Sequence, residues 1–282
     1  MTWLPRRWVL LVTAGAIAGV FGLQAAAFQR FPGGYGGFGR FGRVPQPTAA
    51  DAKHEFAWSR LQYTPVSRGY GGYGYRYRGG FGGSWSRDYP KADITFLAAL
   101  RRLTRIDARS YQQVVTLDND DIFNYPFVYA VQVQTWTFTP AQATRLREYL
   151  LKGGFLMVDD FHGTADWESF LNGMRMVLPA DEYPITDLAD NDEIFHVLYD
   201  IGKRFQVPGE QYVLTGRTYE KDGYVPKWRA IRDHKGRVIV AICHNMHLGD
   251  AWEWADSPDY PENFASMAFR VGIDYVMYSM TH

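Results

Sequence analysis

The stretch from Phe127 to Val158 constrains this chain more than any other. Phe127 to Val133 is rich in Val, Tyr and Phe and reads as a strand. Thr139 then offers an N-cap oxygen, and Pro140 suits the first helical position, where its missing N–H is not needed. Ala143, Leu146, Leu150 and Leu151 form one apolar stripe. Gly153 and Gly154 stop the helix, because glycine takes the left-handed cap without a Cβ clash. Phe155 to Val158 follows as an unbroken apolar run, the mark of a strand buried on both faces. Strand, helix and strand in this order predict one βαβ crossover, and with it a parallel pair.

The flanking chain repeats the pattern. Glu55 to Tyr63, with Phe56, Trp58 and Leu61, reads as a first strand, and Val114 to Leu117 as a short one. Asp93 to Thr104 places Phe96, Leu97, Leu100 and Leu103 on one helical face. Trp167, Phe170, Leu171, Met174 and Leu178 mark another helix. Trp228 to Ile231 and Arg237 to Ile242 read as strands joined by a turn at residues 233–236. A last helix runs from about Pro261. The expected fold is α/β: a single domain over residues 55–282 with a mainly parallel sheet and helices on both faces. Hydrophobic residues make up 46% of the chain and charged residues 21%, enough apolar mass for a large core and against global disorder.

Upstream of the domain the chain changes character. Arg6 and Arg7 precede a charge-free run from Trp8 to Leu23, and Ala25 to Ala27 supply small residues for cleavage, so residues 1–27 read as a secretory signal peptide. The expected location is the periplasm or cell envelope. If the segment is not removed it becomes a membrane tether, with the Arg pair on the cytoplasmic side. Residues 28–54 form a Gly/aromatic-rich linker, and residues 67–83 (SRGYGGYGYRYRGGFGG) form a Gly/Tyr/Arg-rich loop insertion. Arg and aromatic rings together stack on nucleic-acid bases. Export takes the segments away from RNA, however, and 30 basic residues balance 30 acidic ones, so no nucleic-acid partner is expected. The lone Cys243 excludes an internal disulfide.

In parallel sheets, ligands meet the carboxyl ends of the strands. Two apolar strands end in polar segments: Asp159, Asp160 and His162 after one, and Cys243, His244, Asn245, His247 and Asp250 after the other. If the strands are neighbours, these tips converge. An Asp paired with His162 or His244 suffices to move a proton near neutral pH. Alternatively the acids cap backbone amides and the imidazoles are structural. His244, His247 and Asp250, or Asp160 with both His162 and His244, offer metal donors, but their spacing matches no metal signature; neither metal nor cofactor is expected. Trp252 either forms a sugar-stacking wall or wedges the last helix onto the sheet. Trp85 and Asp88 stand at a helix start, where an anion or a simple capping turn fits.

Several segments together, WSRDYP (residues 85–90), GGFLMVDDFHG (153–163), IFHVLY (194–199), CHNMHLGDAWEWAD (243–256) and YSMTH (278–282), resemble a bacterial family, domain of unknown function 4159. The resemblance covers the chain from about Glu55 and implies the class I glutamine amidotransferase-like, flavodoxin-like fold. In amidotransferases the turn after the Gly-Gly stop bears a Cys nucleophile, and a later strand supplies a His, a place His244 fills here. This chain carries Asp159, Asp160 and Phe161 at that turn, so glutaminase chemistry is not expected. Two functions remain open. One is a non-catalytic or cryptic domain that binds a ligand or protein partner of the envelope. The other is a hydrolase of an envelope carbohydrate or peptide-like substrate. The acid–base candidates are Asp159, Asp160, His162 and His244; the ligand-binding candidates are Asn245, Asp250, Trp252, Trp85 and Asp88.

Overall fold

The structure, a computed structural model, describes residues 54–65 and 84–282. The expected signal peptide, the linker up to residue 53 and the 67–83 insertion lie outside the described residues. The described chain forms β1 (Ser59–Gln62), β2 (Thr64–Pro65), α1 (Lys91–Leu103), β3 (Gln113–Thr116), β4 (Phe127–Val131), β5 (Trp136–Thr137), α2 (Pro140–Leu151), β6 (Phe155–Asp159), α3 (Gly163–Val177), β7 (Ile185–Asp187), α4 (Gln211–Thr215), β8 (Lys227–Arg232), β9 (Val238–His244), α5 (Leu248–Glu253) and α6 (Glu262–Thr281).

Seven strands make one sheet in the order β3-β1-β4-β6-β9-β8-β7. The first five are parallel; the 227–244 hairpin makes β8 antiparallel to β9, and β7 continues antiparallel at the edge. β2 and β5 pair separately as a short ribbon. The fold is therefore α/β with a mostly parallel sheet, as expected. Among the described residues, no helix is long and apolar enough to cross a membrane.

The βαβ unit shows why these residues choose these elements. Thr139 Oγ1 accepts from the Gln142 amide at 3.2 Å, and Gln142 Oε1 accepts from the Thr139 amide at 2.9 Å, closing a capping box around the first turn of α2. Gly153 takes φ 116°, a backbone state that strains any residue with a Cβ. At Gly154 the Tyr149 ring occupies the space a side chain would need. The strands on either side alternate with period two. Phe127, Tyr129, Val131, Phe155 and Met157 join a core shared with α1, α5 and α6. Val128, Ala130, Leu156 and Val158 join the opposite core under α2 and α3.

The first strand is shorter than the expected 55–63. Phe56 makes only an isolated bridge to Ala108, and regular pairing begins at Ser59. Arg60 then sits wholly buried among apolar neighbours, ion-paired at 2.7 Å with Asp93 of α1. A charged residue inside a short strand carries no sequence signal for its distant partner.

Candidate functional site

β6 and β9 lie side by side in register Val158↔Ile242, so Asp159 and Asp160 end beside Cys243 and His244. Three neighbouring parallel strands stop with a non-glycine residue in the left-handed region: Gln132 (φ 53°) after β4, Asp160 (φ 55°) after β6 and Asn245 (φ 67°) after β9. Each turn costs about 1–2 kcal/mol of backbone strain and swings the chain sharply off the sheet. Backbone bonds tie the ends together: Gln132 N donates to Asp159 O at 3.2 Å, Asp160 N to Met246 O at 3.2 Å, and Asn245 N to Phe161 O at 3.0 Å. The fourth contributor is Asp88 (φ 61°), on the segment entering α1.

Asp160, His162, His247, Asp88 and Asp250 meet at this edge. Asp160 Oδ1 lies 3.3 Å from His162 Nε2, and Asp160 Oδ2 lies 3.3 Å from His247 Nε2. The same His247 nitrogen is 2.8 Å from Asp88 Oδ2, while His247 Nδ1 is 3.2 Å from Asp250 Oδ2. The Gln132 side-chain amide donates to Asp160, and the Glu210 backbone amide donates to Asp250 at 2.7 Å. Glu220, partly exposed, comes within 3.6 Å of His162 and forms the rim. The ligand atoms of Asp160, His162 and His247 all lie within 4.8 Å of one another, as do those of Asp88, His247 and Asp250.

The electrostatics follow from burial set against these contacts. Burial alone would lower the His247 pKa, but Asp160, Asp250 and Asp88 outweigh it and hold the imidazole protonated well above its ordinary range. Burial likewise works to raise Asp160, and the charges of His247 and His162 overcome it, bringing its carboxyl down to about 2. Asp250 goes the other way: burial, reinforced by Asp88 and Glu253, lifts it well above the carboxylate range against the pull of His247. Burial and Asp88 raise Glu253 to about 8. The core of the site is thus the His247 ring held between the side chains of Asp88 and Asp160, with His162 in hydrogen-bond reach of the latter. An acid and an imidazole so placed can bind a polar group or relay a proton.

Several expected participants sit elsewhere. Side chains alternate along a strand, so Asp159 follows Phe155 and Met157 onto one face, and His244 follows Ile242 onto the other. Asp159 is fully buried: its Oδ2 accepts from Tyr129 OH at 2.9 Å and from Gly249 N at 3.0 Å, and burial raises it to about 7. It anchors the start of α5 rather than facing a substrate. His244 packs against the rings of Phe161 and Trp167, each 4.9 Å away, and its Nε2 meets Gly163 O at 3.2 Å. It belongs to the α3 side and pairs with neither Asp. Asn245 spends both ends of its amide on backbone: Oδ1 accepts from Gly163 N and Nδ2 donates to Val225 O, both at 2.8 Å. Trp252 is wholly buried against Phe96, Tyr129 and Trp58, so it wedges helix on sheet and offers no stacking wall. Trp85 is buried in the second core. Cys243 is buried, and desolvation followed by the nearby Asp159 pushes its thiol well above the ordinary range, unlike an activated nucleophile.

His244 carries a pH prediction. Burial, only partly opposed by the Gly163 carbonyl, lowers its pKa from 6.5 to about 4. The folded state therefore refuses a proton that the unfolded chain accepts below pH 6.5. Stability is expected to fall as pH drops from about 6.5 to about 4, by roughly 3 kcal/mol from this group alone. Urea unfolding of His244→Gln across this window should show a flatter acid limb than the wild type; an identical pH slope would refute the assignment.

His247 is the residue that sequence reading left out of the acid–base set, although its signal was present: it sits in the polar strand-end segment, three residues before Asp250, at the spacing that aligns neighbours on a helix start. Gln132 gave no such signal, since only the left-handed turn after β4 aims it at Asp160.

No curated protein matches the chain. A family profile does, over residues 72–280, so β1 precedes the matched span although it forms part of the same sheet. That span is most of the 282 residues and includes every member of the polar cluster, and the chain belongs to the family described as domain of unknown function (DUF4159).

Proposed function

We propose that this chain is an exported, non-catalytic binding domain of the cell envelope that takes a small polar ligand at the carboxyl edge of its sheet. The observation that carries the reading is the convergence of Asp88, Asp160, His162 and His247 from three segments of the chain, with the two imidazoles each 3.3 Å from Asp160. The absence of a thiol or hydroxyl at the Asp160 turn and the buried Cys243 speak against acyl transfer through a covalent intermediate. Export is supported by the three-part pattern of residues 1–27, with a mature chain beginning at Phe28. An α/β fold with a mostly parallel sheet assigns no activity by itself, so the reading rests on the site.

The test is a binding screen by thermal shift and calorimetry against envelope-type probes: N-acetylated amino sugars, their short oligomers and peptide-like carboxylates. Asp160→Asn is expected to weaken the binding of a hit at least tenfold, because it removes the charge facing both imidazoles. No hit in the whole panel, or a hit insensitive to Asp160→Asn, sinks the reading. Turnover of a probe would favour the hydrolase instead, with the Asp160–His162 pair activating water, a reading supported by their 3.3 Å approach. N-terminal sequencing of the mature protein tests export.

A further inference from the structure

We propose that Asp160, His162 and His247, with Asp88 as a fourth donor, form a binding site for one divalent first-row transition ion. The inference rests on the same edge as the binding reading and names what occupies its centre.

The donor chemistry points to the class of ion. Two imidazoles with one or two carboxylates suit zinc and its first-row neighbours; calcium and magnesium prefer all-oxygen shells, and thiolate-loving ions find no sulfur, since Cys243 is buried in the core. The spacing fits as well. Donors about 2.1 Å from a tetrahedral ion stand about 3.4 Å apart. Asp160 presents one oxygen to each imidazole nitrogen at 3.3 Å, and the three donor atoms lie within 4.8 Å of one another.

The surroundings are those of a supported metal ligand. A ligating His usually hands its other ring nitrogen to a carboxylate that fixes its orientation. His247 Nδ1 does this with Asp250 Oδ2 at 3.2 Å, and Asp250 is itself pinned by the Glu210 amide. Asp160 is held by the Gln132 amide. His162 turns its Nε2 toward Asp160 at 3.3 Å and is only 4% exposed, while its Nδ1, on the other side of the ring, has no hydrogen-bond partner among the described residues. Asp160 and His247 are 2% exposed, a closure that suits an ion at the centre, with a larger ligand meeting it from the Glu220 rim.

The experiment uses the full chain, stripped with a chelator and titrated with Zn2+ or Co2+ alone. Expected are one ion per folded chain by calorimetry and elemental analysis, a melting temperature that climbs with ion concentration, and a visible absorption band in the Co2+ form. His162→Ala and Asp160→Asn should each weaken binding at least tenfold, and Asp250→Asn ten- to a hundredfold through His247. His244→Gln, outside the cluster, should bind as the wild type does. Should Asp160→Asn fail to fold by circular dichroism, His162→Gln replaces it. No ion on folded wild-type protein, or equal binding by the His162 variants, overturns the proposal. Saccharide binding through Asp160 by a folded protein that takes up no ion would overturn the ion and leave the binding domain standing. Stoichiometric ion binding with no organic ligand would support the ion and remove the binding-domain reading.

Discussion

Asp93→Ala is expected to destabilise the protein by about 3–5 kcal/mol, because it leaves the buried Arg60 guanidinium without its counter-charge. Both side chains are fully buried, 2.7 Å apart at Arg60 Nη2 and Asp93 Oδ2, with a second contact of 3.1 Å from Arg60 Nε to Asp93 Oδ1. The Trp58 indole also donates to Asp93, so the substitution strands two donors at once. A buried charge that loses its partner costs far more than the pair contributes while intact. Replacing both members by apolar side chains should therefore recover most of the loss. Urea denaturation of Asp93→Ala and of the double variant Arg60→Met/Asp93→Leu checks this; a single-variant loss under about 1 kcal/mol would contradict it. The consequence reaches the site. Arg60 Nη1 donates to the carbonyls of Trp85 and Arg87 at 3.1 and 2.9 Å, and so holds the segment that delivers Asp88 to His247. Ligand or ion affinity should fall with stability in Asp93→Ala and return only where that segment is restored.

Trp252→Ala should remove about 3–5 kcal/mol by opening a cavity at the centre of the larger core. The indole touches rings from three elements: Phe96 of α1 at 4.6 Å, Tyr129 of β4 at 5.4 Å and Trp58, just before β1, at 5.7 Å. Gly272 of α6 leaves room for it, since a Cβ there would stand 2.9 Å from the indole. The void cannot close without moving helices on both sides. Thermal unfolding should show the loss, with Trp252→Phe falling between the two. If Trp252 instead lined a binding surface, Trp252→Ala would spare stability and weaken ligand binding, and that pattern would refute the assignment.

Much of the scaffold is legible in the residues. The 139–154 helix carries its own start and stop signals, with Thr139 and Gln142 closing the cap and the two glycines ending it, so local chemistry was enough. The apolar runs from Phe155 to Val158 and from Val238 to Ile242 announce buried strands, and the sheet places them as parallel neighbours. Arg60 was not legible. A charge inside a strand reads as solvent-facing until its partner, 33 residues away on α1, is known.

The site divides along the same line. Its location at the ends of β6 and β9, and the candidacy of Asp160, His162, Asp88 and Asp250, come from residue type and position along the chain. Which imidazole faces Asp160 does not. His244 is the last residue of β9, and side-chain alternation sends it to the α3 face, while the left-handed turn at Asn245 carries the chain back so that His247 returns to the edge. Sequence determines which elements form, because propensity, capping and apolar period act over a few residues. The tertiary structure alone decides which tips meet, because that depends on strand register and on the hand of single turns, and a one-residue shift of either exchanges the face that every later side chain presents.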